Sequence, residues 1–264
     1  AILYTSGSTG RPKGVMLSHA NLAIGAVSVA SYLKLAADDV TLAVLPLSFD
    51  YGQNQLLSTW QAGGCVVPLD YLTPRDVIKA CARHGVTTLA AVPPLWVQLA
   101  EQEWPTEATA AMRRLTNSGG ALTPSLVKVL RGIFGAKTNI YAMYGLTEAF
   151  RSTYLPPEEI DRRPDSIGKA IPGAEVLVPH YRLAPEHPFP AQIEDGVLAY
   201  KQLLSDGYPA DRIAIAGDSA GGHLTLMVTV ALRQAGLPLP AAMVMMSPAF
   251  SLGPLPNTTA YERE

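Results

Sequence analysis

Two short stretches of the chain combine residue types and spacings that do chemistry. The first is YTSGSTGRPKG, Tyr4 to Gly14. Glycines at 7, 10 and 14 let backbone N–H groups turn toward an anion with no Cβ in the way. Thr5, Ser6, Ser8 and Thr9 add hydroxyl donors and Lys13 a mobile cation, a set suited to holding a polyphosphate. The spacing is not that of a P-loop, which needs Gly, four residues, then Gly-Lys-Ser/Thr. Here Lys13 follows Arg11-Pro12 and precedes Gly14. The second stretch is IAGDSAGGHL, Ile215 to Leu224. Gly217-Asp218-Ser219-Ala220-Gly221 is a G-x-S-x-G pattern, in which small neighbours allow the sharp turn that exposes a nucleophilic serine.

Both stretches need a scaffold of strands and helices, and the hydrophobic pattern supplies one. Strands are expected at Ala1–Thr5, Thr41–Leu47, Cys65–Leu69, Thr87–Val92, Leu115–Ser118, Asn139–Met143, Glu175–Val178, Arg212–Gly217 and Ala242–Ser247. Helical patterns lie between them at Ser18–Leu33, Gly52–Ala62, Pro74–His84, Leu95–Gln102, Pro124–Phe134, Pro190–Leu204 and Ala220–Ala235. Short apolar runs each followed by a longer amphipathic run are βα units, so the fold class is α/β with a mainly parallel sheet. Ser18 and Thr123 suit helix N-caps, and Pro124 suits the first helical position. Leu155–Pro164 is charged and proline-broken, hence a loop. Ile171–Ala191 holds five prolines and passes from one sequence style to another.

The phosphate loop, read as YTSGSTGRPKGVMLSHANL, resembles the signature of AMP-forming, acyl-activating enzymes: acyl-CoA ligases, luciferases and peptide-synthetase adenylation domains. NSGGALTP, Asn117 to Pro124, is similar to that family's adenine and acyl segment. YAMYGLTEAF, Tyr141 to Phe150, resembles its Tyr-Gly-x-Thr-Glu motif. The following AFRSTYLPPEEIDRRPDSIGKAIPGAEV looks closer still to bacterial acyl-CoA ligases associated with exosortase systems. The resemblance implies that Thr5, Ser6, Gly7, Ser8, Thr9, Gly10 and Lys13 hold the phosphates of ATP. Gly119, Gly120, Ala121, Tyr144, Gly145 and Thr147 complete the nucleotide site, Thr147 contacts the α-phosphate, and Glu148 holds Mg²⁺. Lys13 also takes a catalytic part, stabilising the departing pyrophosphate. Residues around Phe49–Gln53 and Gly119–Ala121 shape the acyl pocket. In that family a carboxylate attacks the α-phosphate, giving an acyl-adenylate and pyrophosphate. A thiol, usually coenzyme A, then takes the acyl group. The ribose-binding Thr-Gly-Asp segment and the C-terminal domain with its lysine, both expected of the family, do not follow Val178.

YRLAPEHPFPAQIEDG, Tyr181 to Gly196, together with the Ser219 pattern and MSPAFSL, resembles the hormone-sensitive-lipase type of α/β-hydrolase, which cleaves carboxylic esters. The resemblance implies that Ser219 attacks the ester and the Ala220 N–H donates to the oxyanion. A triad acid and histidine should follow the serine. The last histidine is His223, on the serine's own helix and so a poor base, while His180 and His187 precede it. Without a base the serine keeps its high pKa and is a weak nucleophile.

The expected organisation is therefore a hybrid, with a partial acyl-CoA ligase domain at 1–177 and a partial α/β-hydrolase segment at 178–264. They join where both families have a strand, EVLV running into PHYRL. The start at Ala1 on an apolar run fits an internal fragment. Composition agrees with buried parallel strands: the chain is 48% hydrophobic and 16% charged, against about 25% charged for an average domain. A net charge of -2 speaks against nucleic acid as partner, and there is no membrane span or signal peptide, so a cytoplasmic location is expected. Cys65 and Cys81 read as two buried thiols. The partner is a small-molecule carboxylate or ester. Three functions stay open: an impaired carboxylate-activating ligase using ATP, Mg²⁺ and coenzyme A, a serine ester hydrolase that is also incomplete, and an inactive recombined chain.

Overall fold

The computed structural model describes residues 1–5, 13–145, 147 and 151–246. The chain divides into two compact units, Ala1–Val176 and Leu177–Glu264.

The first unit opens with an antiparallel hairpin of β1 (Ile2–Thr5) and β2 (Lys13–Met16), in which Thr5 lies opposite Lys13. Helix α1 (His19–Leu33) follows; its N-cap is Ser18, whose hydroxyl accepts from the Asn21 N–H. Then come β3 (Val40–Ala43), α2 (Asp50–Gln61), β4 (Cys65–Pro68), α3 (Pro74–His84) and β5 (Thr88–Ala91). The unit continues with α4 (Pro93–Ala100), the short α5 (Thr106–Thr109), β6 (Arg114–Asn117), α6 (Pro124–Phe134) and β7 (Asn139–Tyr144). It ends with β8 (Thr153–Leu155) and β9 (Lys169–Ala170). Strands β4-β3-β5-β6-β7-β8-β9 form one sheet, parallel from β4 to β7 and antiparallel at β8 and β9. Thr123 caps α6 with Pro124 at its first position, because the hydroxyl satisfies the Leu126 N–H that the helix cannot.

The register sorts the side chains into two faces, since neighbours along a strand point to opposite sides. Leu42, Leu89, Leu115 and Ile140 stand side by side across four parallel strands, all fully buried. The row beside them is Thr41, Thr88, Arg114 and Asn139. On that polar face Thr59 of α2 donates to the Thr41 hydroxyl, and the Arg114 guanidinium donates to the carbonyl oxygens of Leu33 and Lys34 at the end of α1. Arg114 also pairs with Asp39, fully buried at the foot of β3, at 2.7 Å. Burial alone would push this carboxyl up. Donors from Arg114, Thr87 and the Ala36 N–H outweigh burial and hold it below the usual carboxylate range.

The second unit holds α7 (Ala191–Ser205), a 3-10 turn at Ala210–Arg212, β10 (Ala214–Asp218), α8 (Ala220–Gln234) and β11 (Ala242–Met246). Strands β10 and β11 pair in parallel, as a strand–helix–strand crossover requires. Their core is Tyr200, Ile213, Val228 and Leu232.

Several expectations need correction. Glu175–Val178 is not a strand; its residues are exposed and have no ladder partner among the described residues. A short apolar run becomes a strand only where a neighbour satisfies its backbone groups, and Pro172-Gly173 and Pro179 close off this one. The join between the two styles is thus irregular chain. Leu155, expected in a loop, is the buried end of β8; β2, β8, β9 and α5 were too short to register as periodic runs. Cys81 is buried, and burial pushes its thiol up to about 12, but Cys65 is exposed.

Replacing Arg114 by Met leaves Asp39 its Thr87 and Ala36 donors but, among the described residues, only the half-exposed Arg113 as a cation. The variant should lose about 3 kcal/mol of stability at neutral pH in urea unfolding. Because the native carboxyl of the parent titrates below its unfolded value of about 3.9, its contribution is complete above that pH and fades as pH falls through the native value. The gap between parent and Arg114→Met should therefore narrow in acid.

Candidate functional site

In a parallel sheet all strand ends of one kind lie along one edge, and ligand-binding loops gather at the carboxyl edge. The segment 118–123 leaves the carboxyl end of β6, and Gly145 with Thr147 leaves that of its neighbour β7, the two strands being in register with Asn117 beside Ala142. Gly119, Gly120 and Ala121 are exposed, and the Asn117 carboxamide folds their loop by donating to the Gly120 carbonyl at 2.8 Å. Tyr144 is partly exposed at the strand end, and Gly145 and Thr147 are half-buried just beyond it. The structure thus brings the adenine-type segment and the Tyr-Gly-x-Thr segment together.

Thr5 and Lys13 are the last paired positions of the β1–β2 hairpin. Ser6, Gly7, Ser8, Thr9 and Gly10, which join them, lie outside the described residues, as does Glu148. Among the described residues no group of acidic, histidine or cysteine side chains is placed to hold a metal ion.

Behind the strand ends sits a polar cluster that sequence reasoning missed. Arg151 pairs with Asp50 at 3.2 Å, both buried, and its guanidinium lies 4.4 Å above the Tyr51 ring. The Tyr51 hydroxyl shares a 2.6 Å hydrogen bond with Thr116 on β6. Burial pushes the Tyr51 phenol well above its ordinary value, so the ring stays neutral beneath the cation. Asp50 and Tyr51 fall within Phe49–Gln53, but nothing in the spacing joins them to a residue a hundred positions later.

In the second unit Ser219 sits between β10 and α8 at φ 52° and ψ -114°, a conformation side chains rarely adopt. Gly217 makes that turn feasible, because a Cβ there would overlap the Gly221 carbonyl. Ser219 and Ala220 are exposed, with Ala220 opening the helix whose first N–H groups lack intrahelical partners. The His223 N–H donates to the Ser219 carbonyl, which fixes this histidine as a helix residue one turn on, and its buried Nδ1 has no hydrogen-bond partner among the described residues. Upstream, Arg182 grips both oxygens of Asp195 and reaches Glu194, so YRLAPEHPFPAQIEDG folds back on itself. That contact holds the Asp195 carboxyl below its usual range. His180 and His187 are exposed in this segment.

The first unit's sheet, with its two motifs at the carboxyl edge, is that of an adenylate-forming enzyme. The model of the AMP-binding enzyme family matches residues 1–185, and the chain belongs to that family. The model of the alpha/beta hydrolase fold matches residues 170–264, so the chain resembles two families in succession. Indoleacetate–CoA ligase of Aromatoleum aromaticum is 31% identical over 180 residues, 67% of this chain and 35% of that protein. An acetyl-hydrolase of Streptomyces hygroscopicus is 57% identical over 76 residues, 29% of this chain and 25% of that protein. The chain therefore spans a quarter to about a third of the length of these two curated relatives. Among solved structures, O-succinylbenzoate coenzyme A synthetase of Bacillus subtilis, in complex with ATP and magnesium ion, superposes with a TM-score of 0.59 at 28% identity. The match covers 68% of this chain and 38% of that one. No helix among the described residues is long and apolar enough to cross a membrane.

Gly217→Val should remove the close approach on which the serine turn depends. We expect a loss of about 2 kcal/mol or more, seen as a lower urea midpoint, with the first unit's tryptophan signal unchanged.

Proposed function

We propose that residues 1–176 are the Mg-ATP-binding part of a carboxylate-activating ligase. The observation that supports this most is the placing of the 117–121 and 144–147 segments on adjacent parallel strand ends, in a chain whose family is AMP-binding enzymes. Thr5 to Gly10 and Lys13 would hold the terminal phosphates, with Lys13 offsetting charge on the departing pyrophosphate. Gly119 to Ala121 would flank the adenine and the acyl group, their exposed backbone allowing a flat ring to approach. Tyr144, Gly145 and Thr147 would line the α-phosphate, and Glu148 would hold Mg²⁺, a hard cation suited to carboxylate oxygen. The metal supplies neutralisation of phosphate charge. The chain's own residues position the carboxylate for in-line attack, and chemistry of this kind rests on positioning and electrostatics. Coenzyme A is the acceptor thiol this reading implies. Turnover should be low, because hydrolase-like sequence after residue 178 stands where the ribose-binding segment would follow.

The test is calorimetric titration with Mg-ATP. Lys13→Ala combined with Glu148→Ala should weaken binding by at least about a hundredfold, two charge-assisted contacts each contributing about 1.5 kcal/mol or more. Binding equal to the parent's rejects the reading.

A second reading has its own support in the strained Ser219 turn and in the likeness to the acetyl-hydrolase. In it Ser219 is the nucleophile of a carboxylic ester hydrolase, with the Ala220 N–H turned to the oxyanion. A fluorophosphonate probe should then label the chain at Ser219, slowly because His223 cannot serve as the base, and Ser219→Ala should abolish the label. An unlabelled parent chain eliminates this activity.

A further inference from the structure

Helix α2 turns a polar stripe toward the interior. Tyr51, Asn54, Gln55, Ser58 and Thr59 recur at the three- and four-residue spacing that places them on one face, and all are buried. Such a stripe is ordinarily apolar, because a buried amide or hydroxyl without a partner loses its hydration for nothing in return. Most of this one is satisfied: Tyr51 bonds Thr116, Thr59 bonds Thr41, and Ser58 donates to the Gln55 carbonyl. Two atoms differ. Asn54 Nδ2 and Gln55 Oε1 are buried and have no hydrogen-bond partner among the described residues. Asn54 is 1% exposed and Gln55 6%, so bulk solvent serves neither. The Gln55 amide is oriented by its other end, since Nε2 donates to the Leu42 carbonyl at 3.4 Å, where an oxygen would be repelled. Oε1 is therefore the acceptor that points elsewhere.

Both residues line one cavity. Its other walls are Val29 and Leu33 of α1, with Thr88, Thr116 and Met143 on the polar face of the sheet, and it has room for about one water molecule. Among the described residues no charged side chain lines it. A donor and an acceptor on neighbouring positions of one wall suit a neutral molecule that accepts and donates at once, and the size excludes anything larger than water. The Thr88 hydroxyl on the sheet wall accepts from Arg114 at 3.3 Å and keeps its own proton to give.

We infer that this cavity is an internal hydration site holding a single ordered water, which accepts from Asn54 Nδ2, donates to Gln55 Oε1 and takes the Thr88 hydroxyl as its third partner. Three bonds are what a buried water typically makes. The water links α2 to β5 between the Tyr51–Thr116 and Thr59–Thr41 contacts, so the helix is tied to the sheet along its length and not only at its ends. The site is independent of the ligase reading, because none of its partners is assigned to nucleotide or metal.

The experiment pairs a high-resolution crystal structure of the full chain with magnetic relaxation dispersion of the water signal, which counts waters held longer than the protein tumbles. The crystal should show a density peak within hydrogen-bond distance of both Asn54 Nδ2 and Gln55 Oε1. In solution, Gln55→Met, which removes the acceptor, and Asn54→Leu, which removes the donor and fills the space, should each hold one long-lived water fewer than the parent. Asn54 and Gln55 bonded to each other, or no peak between them, overturns the inference. A peak in the crystal beside equal counts in parent and variants marks a water that exchanges like surface water, and overturns it too. Xenon pressure supplies a further check, since a dry cavity takes the gas and a hydrated one does not. Xenon found between the two amides rejects the site. Should one variant fail to fold, the other gives the count, and should both fail, the parent's density and its response to xenon decide.

Discussion

Asp39 and Arg114 form the node on which the larger unit depends. The carboxylate accepts from Arg114, Thr87 and the Ala36 N–H, while its backbone carbonyl accepts from the Cys65 N–H that begins β4. Arg114, at the start of β6, also donates to the last carbonyls of α1, where a cation meets the negative end of the helix. One ion pair thus joins the amino ends of four parallel strands to the end of a helix. An arginine suits the place, because its planar fork can serve a carboxylate and two carbonyls at once. Fixing the amino edge of the sheet in this way leaves the opposite edge to loops, and it is there that both ligase-type segments emerge.

Between those edges the sheet has two unlike faces. One is a row of leucine and isoleucine with no polar atoms to satisfy, and non-directional burial holds it. The other is built of threonines, tyrosines and Arg114, and each buried polar contact there needs its own partner: Thr59 for Thr41, Thr116 for Tyr51, Met143 for the Tyr32 hydroxyl. Directional contacts specify position more sharply than apolar packing does. The polar face also reaches the carboxyl edge, through Tyr51 and Arg151, so the element that specifies the helix α2 also borders the candidate site.

The second unit follows a different economy. Its core is small and its two-stranded sheet has no further partner among the described residues. The tension in it is local: a serine at positive φ, tolerated because Gly217 lets the strand end close on the Gly221 carbonyl at the start of the helix. That is the geometry of a nucleophile turn. Its histidine neighbour, His223, is committed to the helix one turn past the serine.

Much of this was legible in the chain itself. Helices with capping residues, Pro74–His84 and Pro124–Phe134 above all, fell at the expected residues, because a cap and a first-turn proline are local chemistry. The central parallel strands were visible as apolar runs, and the three ligase-type motifs and the serine turn as spacings of particular residue types. What escaped were elements whose existence depends on a neighbour. Thr153–Leu155 is a strand because β7 receives it, while Glu175–Val178, more apolar, is not one because no strand among the described residues pairs with it. The sequence by itself determined the fold class, the double resemblance and the residues that could do chemistry, since each is written in local pattern. Only the tertiary structure decided that Asp39 meets Arg114 and that Arg151 meets Asp50. Such pairs join residues far apart in the chain, and the burial that makes them matter exists only once the sheet has closed around them.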